Sequence, residues 1–330
     1  MGQRTVVIVG YQDAALLEMA CVLDTFDAAN RVGATPPYLV RLASSGGRAV
    51  TSTGSWQLTG QLRLERFTGP LDTLVVAGGF GSRAAAADAR LVGHIRRLAG
   101  ESRRVASVCT GAEVLAATGL LDGRRATTHW NWAGEIAARY PRVTIDPAPI
   151  YIKEGRLATA AGVTSALDLA LAFVEEDHGA ELARDVARGL VTYLHRPGNQ
   201  AQMSTFVAAP PVHDALVRRV VDSVHTDLAA DLSTPVLAAR VGVSDRHLTR
   251  LFLVELGITP ARFVRRARTE AAAQLLAGTD LPVARIASRC GFGSSETLRQ
   301  AFVDHYGTAP TRFRLAQRTS VGRGPRTSST

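Results

Sequence analysis

Cysteine is scarce in this 330-residue chain, which contains three: Cys21, Cys109 and Cys290. They are far apart in sequence and form no C-x-x-C pair, so the sequence predicts neither a disulfide framework nor a zinc site. A few isolated thiols are typical of a reducing cytosol, where disulfides rarely persist. We therefore expect a cytoplasmic protein that needs no metal or other cofactor.

Long apolar runs are also missing. The longest, residues 157–174, is interrupted by two threonines, a serine and Asp168, which excludes a membrane span. A strand-like run, Val6–Val9, begins close to the first residue and leaves no room for a signal peptide. The sequence thus favours a protein that neither crosses a membrane nor carries a secretory leader.

Acidic residues are sparse in the C-terminal part. The net charge is +9, but residues 1–205 contain 21 basic and 19 acidic side chains, whereas residues 206–330 contain 17 and 10. A basic excess confined to one part of a chain is expected for a surface that faces nucleic-acid phosphates. The length also predicts two domains.

A stretch of about fifty residues occurs twice in that basic part. Gly257–Phe263 returns as Gly307–Phe313, and Leu237–Gly242 returns as Ile286–Gly291. A repeat of this kind indicates two copies of one supersecondary unit. Each copy has the pattern of a short helix, a glycine turn and a second helix, so we predict two helix-turn-helix motifs.

Helical periodicity separates a core face from an outer face in the second helix of each copy. Leu248 and Phe252 point inward in the first copy, as do Leu298 and Phe302 in the second. Outward side chains of such a helix can reach base edges in a DNA major groove. The predicted DNA-contacting residues are Arg246, Thr249 and Arg250 in the first copy and Glu296, Thr297, Arg299 and Gln300 in the second. The alternative is an all-helical repeat domain that binds a protein or has no partner.

Residues 261–277 join the two copies and contain no glycine or proline, so they are predicted to form one helix. At about 1.5 Å per residue this helix is roughly 25 Å long. Successive major grooves on one face of B-DNA are about 34 Å apart. A strut of that length, together with the two motifs, could place both recognition helices in successive grooves of double-stranded DNA.

Residues 213–315 resemble the DNA-binding domain of the AraC/XylS family of bacterial transcription regulators. The most specific stretch is Ile286–Phe292. The resemblance implies that the outward residues named above, Arg299 apart, occupy base-reading positions. The chain departs from the family at Leu253-Val254 and Val303-Asp304, where basic residues are common. The departures imply either fewer phosphate contacts or an apolar pair that docks on the other domain.

Strand-like and helix-like segments alternate in the N-terminal part. Such alternation predicts a mostly parallel sheet with helices on both faces, as in flavodoxin-like folds. In these sheets ligands bind beyond the carboxyl ends of the strands. The predicted strands are Thr5–Gly10, Tyr38–Ala43, Asp72–Ala77 and Arg104–Val108, and the predicted helices are Leu16–Ala29, Asp88–Ala99 and Thr110–Thr118.

Cys109 lies in the turn between the last of these strands and a helix N-terminus. Unpaired N–H groups at such a terminus stabilise a thiolate and can donate to an oxyanion. The stretch from Cys109 through Thr128-His129-Trp130 resembles the ThiJ/PfpI superfamily, which is related to class I glutamine amidotransferases. Gly78-Gly79 after a strand and Glu18 match the same pattern. The resemblance covers about residues 4–200 and implies that Glu18 hydrogen-bonds Cys109.

Two kinds of function follow for this pocket. In an enzyme, Cys109 would be the nucleophile, tuned by Glu18, with the Gly79 and Thr110 N–H groups as an oxyanion hole. Amidase-like relatives commonly place histidine where this chain has Thr110. His129 is either a base for Cys109 or a hydrogen-bonded core histidine. Isonitrile-hydratase-like members use a comparable acidic residue and Cys-Thr pair, which agrees with the enzyme hypothesis. The alternative is that Cys109 is present only because a small residue fits the turn.

We expect a sensor and dimerisation domain rather than an enzyme. The predicted ligand-binding residues are Glu18, Gly78, Gly79, Cys109, Thr110 and His129. The predicted layout is a sensor domain at 1–200, a linker at 201–212, a DNA-binding domain at 213–317 with motifs at about 232–256 and 282–305, and a disordered tail at 318–330. The whole would be a ligand-responsive transcription regulator, homodimeric through its first domain. Its expected partners are double-stranded DNA, RNA polymerase and an unidentified small molecule, and cysteine-dependent hydratase or amidase activity is the alternative.

Overall fold

The computed structural model describes residues 2–192, 196, 198, 202 and 214–318. The chain divides into two compact units, Met1–Gln202 and Met203–Thr330. Most of the predicted linker and almost all of the predicted tail lie outside the described residues, so both stay predictions. No helix in the described part is long and apolar enough to cross a membrane.

A sheet of seven strands forms the centre of the first unit, as far as its residues are described. Its strands are β1 (Arg4–Val9), β2 (Tyr38–Ser44), β5 (Leu62–Arg63), β6 (Leu71–Val76), β7 (Ser102–Val108), β10 (Tyr151–Glu154) and β11 (Leu157–Ala160). Two short pairs lie outside it, β3 (Val50–Thr51) with β4 (Gln57–Leu58) and β8 (Arg125–Ala126) with β9 (Thr144–Ile145). The strand order is β10-β11-β7-β6-β1-β2-β5, and all neighbours are parallel except β10 and β11.

Helices in two groups accompany this sheet. They are α1 (Leu16–Arg31), α2 (Ser82–Ala87), α3 (Ala89–Glu101), α4 (Gly111–Ala117), α5 (Trp130–Arg139), α6 (Val163–His178) and α7 (Ala180–Gly189). Helices α1, α6 and α7 pack on one another, and α2, α3 and α4 form the second group. This architecture confirms the predicted flavodoxin-like α/β fold.

The strand order places a ligand crevice at β1. From β1 the chain goes first to β2 on one side and later to β6 on the other, so the direction of winding reverses there. In open parallel sheets a crevice opens at such a reversal, beyond the carboxyl ends of the strands. Val6–Val9 are almost fully buried because both faces of β1 are covered. This central strand therefore positions Gly10 and Tyr11 at the crevice.

The apolar stretch 157–174, which the sequence analysis assigned to no element, divides into β11 and α6. Two of the buried polar residues that interrupt it, Thr159 and Asp168, have hydrogen-bond partners. Thr159 Oγ1 accepts the Thr127 N–H at 2.8 Å, and the Asp168 carboxylate accepts from Arg196. Such buried polar contacts cannot be derived from periodicity, because their partners are distant in sequence.

The second unit is helical throughout its described residues. Its helices are α8 (Ala215–Thr226), α9 (Thr234–Val241), α10 (Asp245–Leu256), α11 (Pro260–Gly278), α12 (Val283–Arg289), α13 (Ser295–Tyr306) and α14 (Pro310–Arg318). The pairs α9–α10 and α12–α13 are the two predicted helix-turn-helix motifs. Helix α11 is the predicted continuous strut and is slightly longer than residues 261–277. The predicted all-α fold of this part is confirmed.

Each motif has its own core, and a glycine makes its turn. Leu248 and Phe252 are fully buried in the first core, and Leu298 and Phe302 in the second. Full burial of a phenylalanine contributes about 1.5–3 kcal/mol to stability. Gly242 ends α9 with φ +74°, a left-handed conformation that a side chain disfavours. The periodicity therefore predicted the inward face of both recognition helices correctly.

Candidate functional site

The turn at Cys109 is the centre of the site in the first unit. Cys109 follows β7 and has φ +53°, a strained conformation for a residue with a side chain. Its N–H donates to Ala160 O at 2.8 Å. A Cβ at Gly111 would lie 2.4 Å from Val76 O, so only glycine allows α4 to start so close to the sheet. A strained backbone conformation persists only where surrounding contacts hold it, and here the neighbouring strands provide those contacts.

Glu18 reaches this turn from the first turn of α1. Its side chain is buried, accepts the Gly78 N–H on Oε2 at 2.8 Å and hydrogen-bonds the Cys109 side chain. Burial raises the pKa of Glu18 to about 7, while the hydrogen bonds with Cys109 and Gly78 act in the opposite direction. A Cβ at Gly78 would lie 2.7 Å from Glu18 Oε2. The contact between Glu18 and Cys109 that the resemblance implied is present.

The Cys109 thiol lies in surroundings that favour its neutral form. Burial, followed by the nearby Glu18 charge, raises the pKa of Cys109 well above its ordinary value, and hydrogen bonds from Thr110 offset only part of this effect. The sequence argument expected the helix N-terminus to stabilise a thiolate. The hydrogen bonds from Thr110, just before α4, lower the pKa of Cys109 less than burial and the Glu18 charge raise it. The structure therefore does not favour the expected thiolate.

Gly79 and Thr110 hydrogen-bond each other next to the Cys109 turn. The Gly79 N–H donates to Thr110 Oγ1 at 2.8 Å, and that hydroxyl donates to Gly79 O at 2.8 Å. The Gly78 N–H is already bonded to Glu18. The Gly79 N–H that the enzyme hypothesis assigned to an oxyanion hole is therefore occupied by the protein itself.

His129 lies at the N-cap of α5. Its Nδ1 accepts the Asn131 N–H at 3.3 Å, its ring stacks on Trp130, and burial lowers its pKa. Within the described residues no hydrogen bond joins His129 to Cys109. The neighbouring Thr128 makes the contact instead, because its hydroxyl donates to Cys109 O at 2.8 Å.

The sequence analysis missed two residues of this site, Thr128 and Tyr11. Tyr11 donates its hydroxyl to Ala77 O at 2.7 Å, and burial together with Glu18 and Cys109 raises its pKa. A tyrosine directly after the central strand was the available signal. In the sequence analysis Thr128 was named only as part of the Thr128-His129-Trp130 motif. The available signal was the pair of adjacent threonines, Thr127 and Thr128, just before α5. A cavity of about 450 Å³ lies beside Tyr11 at the ends of β1 and β2, and Gln12, Ser44 and Arg48 are among its lining residues. The predicted ligand-binding residues do not line this cavity.

In the part of the chain that the structure describes, no three His, Cys, Asp or Glu side chains are grouped so that they could hold a metal ion. Cys21 and Cys290 are free thiols, Cys290 within the core of the second helix-turn-helix motif.

In the second unit, α10 presents the first set of predicted DNA-contacting residues. Ser244 caps this helix by accepting the His247 N–H. Arg246 and Arg250 are exposed and Thr249 is half-buried, on the side opposite the core. The Arg250 guanidinium lies 3.2 Å from His247 Nδ1. The geometry leaves both arginines accessible to a groove.

The second set lies on α13, where the side chains contact one another. Arg299 makes a bidentate ion pair with Glu296, with N–O distances of 2.6–3.0 Å. Thr297 bonds the capping hydroxyl of Ser294, and Gln300 donates to Asp304 at 2.9 Å. All four predicted contact residues are exposed, so DNA would have to compete with these local contacts.

Helix α11 fixes the two motifs relative to each other. Arg268 donates to Leu228 O at 2.9 Å and to Ala230 O at 2.7 Å, in the loop before α9. A Cβ on Gly291, in the turn of the second motif, would lie 2.6 Å from Arg268 Nε. The same guanidinium thus contacts the loop that leads into the first motif and lies next to the turn of the second motif. Asp304, where the family often has a basic residue, accepts from Arg265 of α11 at 2.8 Å.

Two family models match the chain. The DJ-1/PfpI family matches residues 4–176, and a helix-turn-helix domain matches residues 237–316. A solved ThiJ/PfpI family protein from Pseudomonas syringae superposes with a TM-score of 0.55 at 22% identity, covering 67% of this chain and 88% of its own. At that identity the superposition supports the fold alone.

The curated relatives include transcriptional regulators as well as an enzyme. The HTH-type transcriptional regulator CdhR of Pseudomonas aeruginosa is 32% identical over 277 residues, which cover 83% of this chain and 80% of CdhR. Isonitrile hydratase of Pseudomonas putida is 32% identical over 186 residues, covering 56% of this chain and 72% of the hydratase. The 277-residue match to CdhR is longer than either unit, so it includes residues of both. With a DJ-1/PfpI fold, two helix-turn-helix motifs on one strut and a relative similar across both parts, the chain belongs to the AraC-type helix-turn-helix transcriptional regulators with an N-terminal DJ-1/PfpI domain, and it is a DNA-binding regulator.

Proposed function

We propose that the first unit senses a small metabolite by reversible binding at the Cys109 turn. The proposed ligand-binding residues are those of the sequence analysis, with Thr128 and Tyr11 added. The supporting observation is the geometry around Cys109: the residue is buried beside Glu18, which raises the pKa of its thiol, and the Gly78 and Gly79 N–H groups are already bonded within the protein. Because neither an activated thiolate nor a free Gly79 N–H is at hand, this geometry favours reversible binding over covalent catalysis.

The test compares ligand-dependent DNA binding with chemistry at Cys109. Cys109→Ser in the full-length protein should retain sequence-specific DNA binding, because the residue is remote in sequence from both helix-turn-helix motifs. A pool of metabolites would be screened for compounds that raise the melting temperature seen by tryptophan fluorescence. A compound that stabilises the wild type and changes its DNA affinity would support sensing. If no compound that stabilises the wild type changes its DNA affinity, the proposed sensing is wrong.

For DNA recognition, we propose that α10 and α13 enter successive major grooves. Helix α11 has 19 residues, which at 1.5 Å per residue gives about 28 Å, and grooves on one DNA face are about 34 Å apart. The proposed base-contacting residues are Arg246, Thr249, Arg250, Glu296, Thr297, Arg299 and Gln300. Footprinting of a selected DNA fragment should show two protected grooves about one helical turn apart, and a single protected groove would contradict this arrangement.

We further propose a cytoplasmic homodimer that forms through the first unit and acts on RNA polymerase at promoters. The reason is that two copies would present four recognition helices to one long operator. Exposed leucines on α1, Leu17 and Leu23, provide apolar surface for such a contact. Sedimentation equilibrium of the full-length protein should give twice the monomer mass, and Leu17→Asp should shift it toward the monomer.

A second candidate function is cysteine-dependent hydration of an isonitrile, in which water adds to the isonitrile carbon to give an N-substituted formamide. The observations that favour it are the similarity to isonitrile hydratase and the contacts among Glu18, Cys109 and Thr110. Incubation of the full-length protein with an alkyl isonitrile would test it. Formamide production that is lost in Cys109→Ala would establish this activity beside DNA binding.

A further inference from the structure

The last described residues of the first unit, Arg196, Gly198 and Gln202, are held by hydrogen bonds to earlier parts of that unit. Arg196 donates its N–H and guanidinium to the buried Asp168 carboxylate at 2.6–2.9 Å. Gly198 O accepts the Tyr151 N–H at 3.2 Å. Gln202, at the boundary between the two units, makes the final set of contacts. The chain therefore leaves the first unit from an anchored position.

The Gln202 side chain uses both ends of its amide. Nε2 donates to Thr128 O at 2.8 Å and to Thr127 Oγ1 at 3.2 Å, while Oε1 accepts the Trp130 N–H at 3.1 Å. Its own N–H donates to Ala148 O at 3.0 Å. Gln202 thus binds three of the four residues at positions 127–130, the segment that leads into α5, and His129 is the fourth.

Thr128 extends these contacts to the pocket. Its hydroxyl donates to Cys109 O, and its carbonyl accepts from Gln202. Both Thr127 and Thr128 are fully buried, and in such a low-dielectric setting a lost or displaced hydrogen bond is costly. A continuous path of hydrogen bonds therefore runs from the turn at Cys109 to the residue where the chain continues toward the DNA-binding unit.

We infer that Gln202 is a positioning residue that transmits occupancy of the Cys109 pocket to the DNA-binding unit. This inference rests on the proposed sensing function. A ligand that displaces Cys109 O or the His129-Trp130 segment changes the positions of the groups that Gln202 binds. The anchor of the chain then differs between the empty and occupied states, which is the differential contact that coupling requires.

The experiment is a double-mutant cycle in the full-length protein, with Cys109→Met as a permanent occupant of the pocket. DNA affinity is measured on a fragment that the wild type selects from a random-sequence pool. Cys109→Met should change this affinity by about 5- to 150-fold, the usual range of allosteric coupling. In the Gln202→Ala background the same substitution should change it by less than about twofold. Circular dichroism of each variant verifies folding.

Two further variants separate transmission from simple anchoring. Gln202→Glu keeps an acceptor for the Trp130 N–H but loses both donors to Thr127 and Thr128, so coupling should be lost as in Gln202→Ala. Asn30→Ala is the matched control. It removes a comparable amide bridge, in which Asn30 donates to Tyr38 O at 2.8 Å and accepts the Tyr38 N–H at 2.7 Å, but at the opposite end of the strands. Coupling should survive in Asn30→Ala.

The outcomes distinguish this inference from the function on which it rests. If Cys109→Met leaves the DNA affinity of the otherwise wild-type protein unchanged, the proposed sensing fails, and the role of Gln202 fails with it. If Cys109→Met changes affinity equally with and without Gln202, sensing stands and only the role of Gln202 is refuted. Full coupling in Gln202→Glu, or equal loss of coupling in Asn30→Ala, would also refute it.

Discussion

Glu18 should make the first unit less stable as the pH rises. Its pKa is about 7 in the folded chain against an ordinary value of 4.5, so the folded state holds more protons than the unfolded state between these values. Stability therefore falls as the pH rises above about 4.5, and the loss is complete only above about pH 7, at about 3 kcal/mol. Between about pH 5 and about pH 8 the expected loss is about 2.5 kcal/mol.

Glu18→Gln removes the titrating group, so its unfolding free energy should lack this part of the pH dependence. The assay is denaturant unfolding followed by tryptophan fluorescence near pH 5 and near pH 8. All three tryptophans, Trp56, Trp130 and Trp132, belong to the first unit, so the signal reports that unit alone. The pKa values of Tyr11 and Cys109 are raised above this range and do not contribute. If the wild type and Glu18→Gln lose the same stability between the two pH values, the reasoning about the buried carboxyl group is wrong.

Three other predictions concern the DNA-binding unit. Arg250→Ala should weaken specific DNA binding by about 1–3 kcal/mol and relax selectivity at one base position; an equal loss on random DNA would make Arg250 a phosphate contact. Arg268→Ala leaves the Leu228 and Ala230 carbonyls without their donor, so thermal unfolding followed by circular dichroism should show a loss of about 1–3 kcal/mol. Binding to a two-groove site should then fall more than binding to a single half-site, and equal losses would contradict a spacing role. Glu296→Ala frees Arg299 from its ion pair and should change base preference in the second groove, measured by selection from random DNA; an unchanged preference would exclude Arg299 as a base contact.

Several elements followed directly from local sequence. The glycine turns, the serine caps at Ser244 and Ser294, and the period of the buried leucines and phenylalanines each depend on residues within one or two helical turns. The strand β7 and the helix after Cys109 were likewise found because a buried strand and a turn have local signatures. The sequence analysis failed for residues 157–174, where a continuous apolar run does not show where strand ends and helix begins.

The chemistry of the pocket could not be obtained in the same way. A helix N-terminus favours a thiolate, and the expectation of a thiolate at Cys109 came from that local effect. The opposing effects, burial and the Glu18 carboxyl group, come from segments far away in sequence. The sequence analysis predicted His129 and not Thr128 as a pocket residue for a similar reason. Which of these two adjacent side chains contacts Cys109 depends on where α5 lies, and local sequence does not determine that position.

The sequence by itself determined the kinds of element, the duplicated motif and the family, because these depend on short-range patterns of apolar residues, caps and turns. Tertiary structure alone decided that Gly79 and Thr110 hydrogen-bond each other, that Arg268 donates to Leu228 O and that Gln202 contacts Thr128. Each of these contacts joins residues separated by about thirty to seventy-five positions. Their energies depend on burial, and burial exists only once the chain has folded.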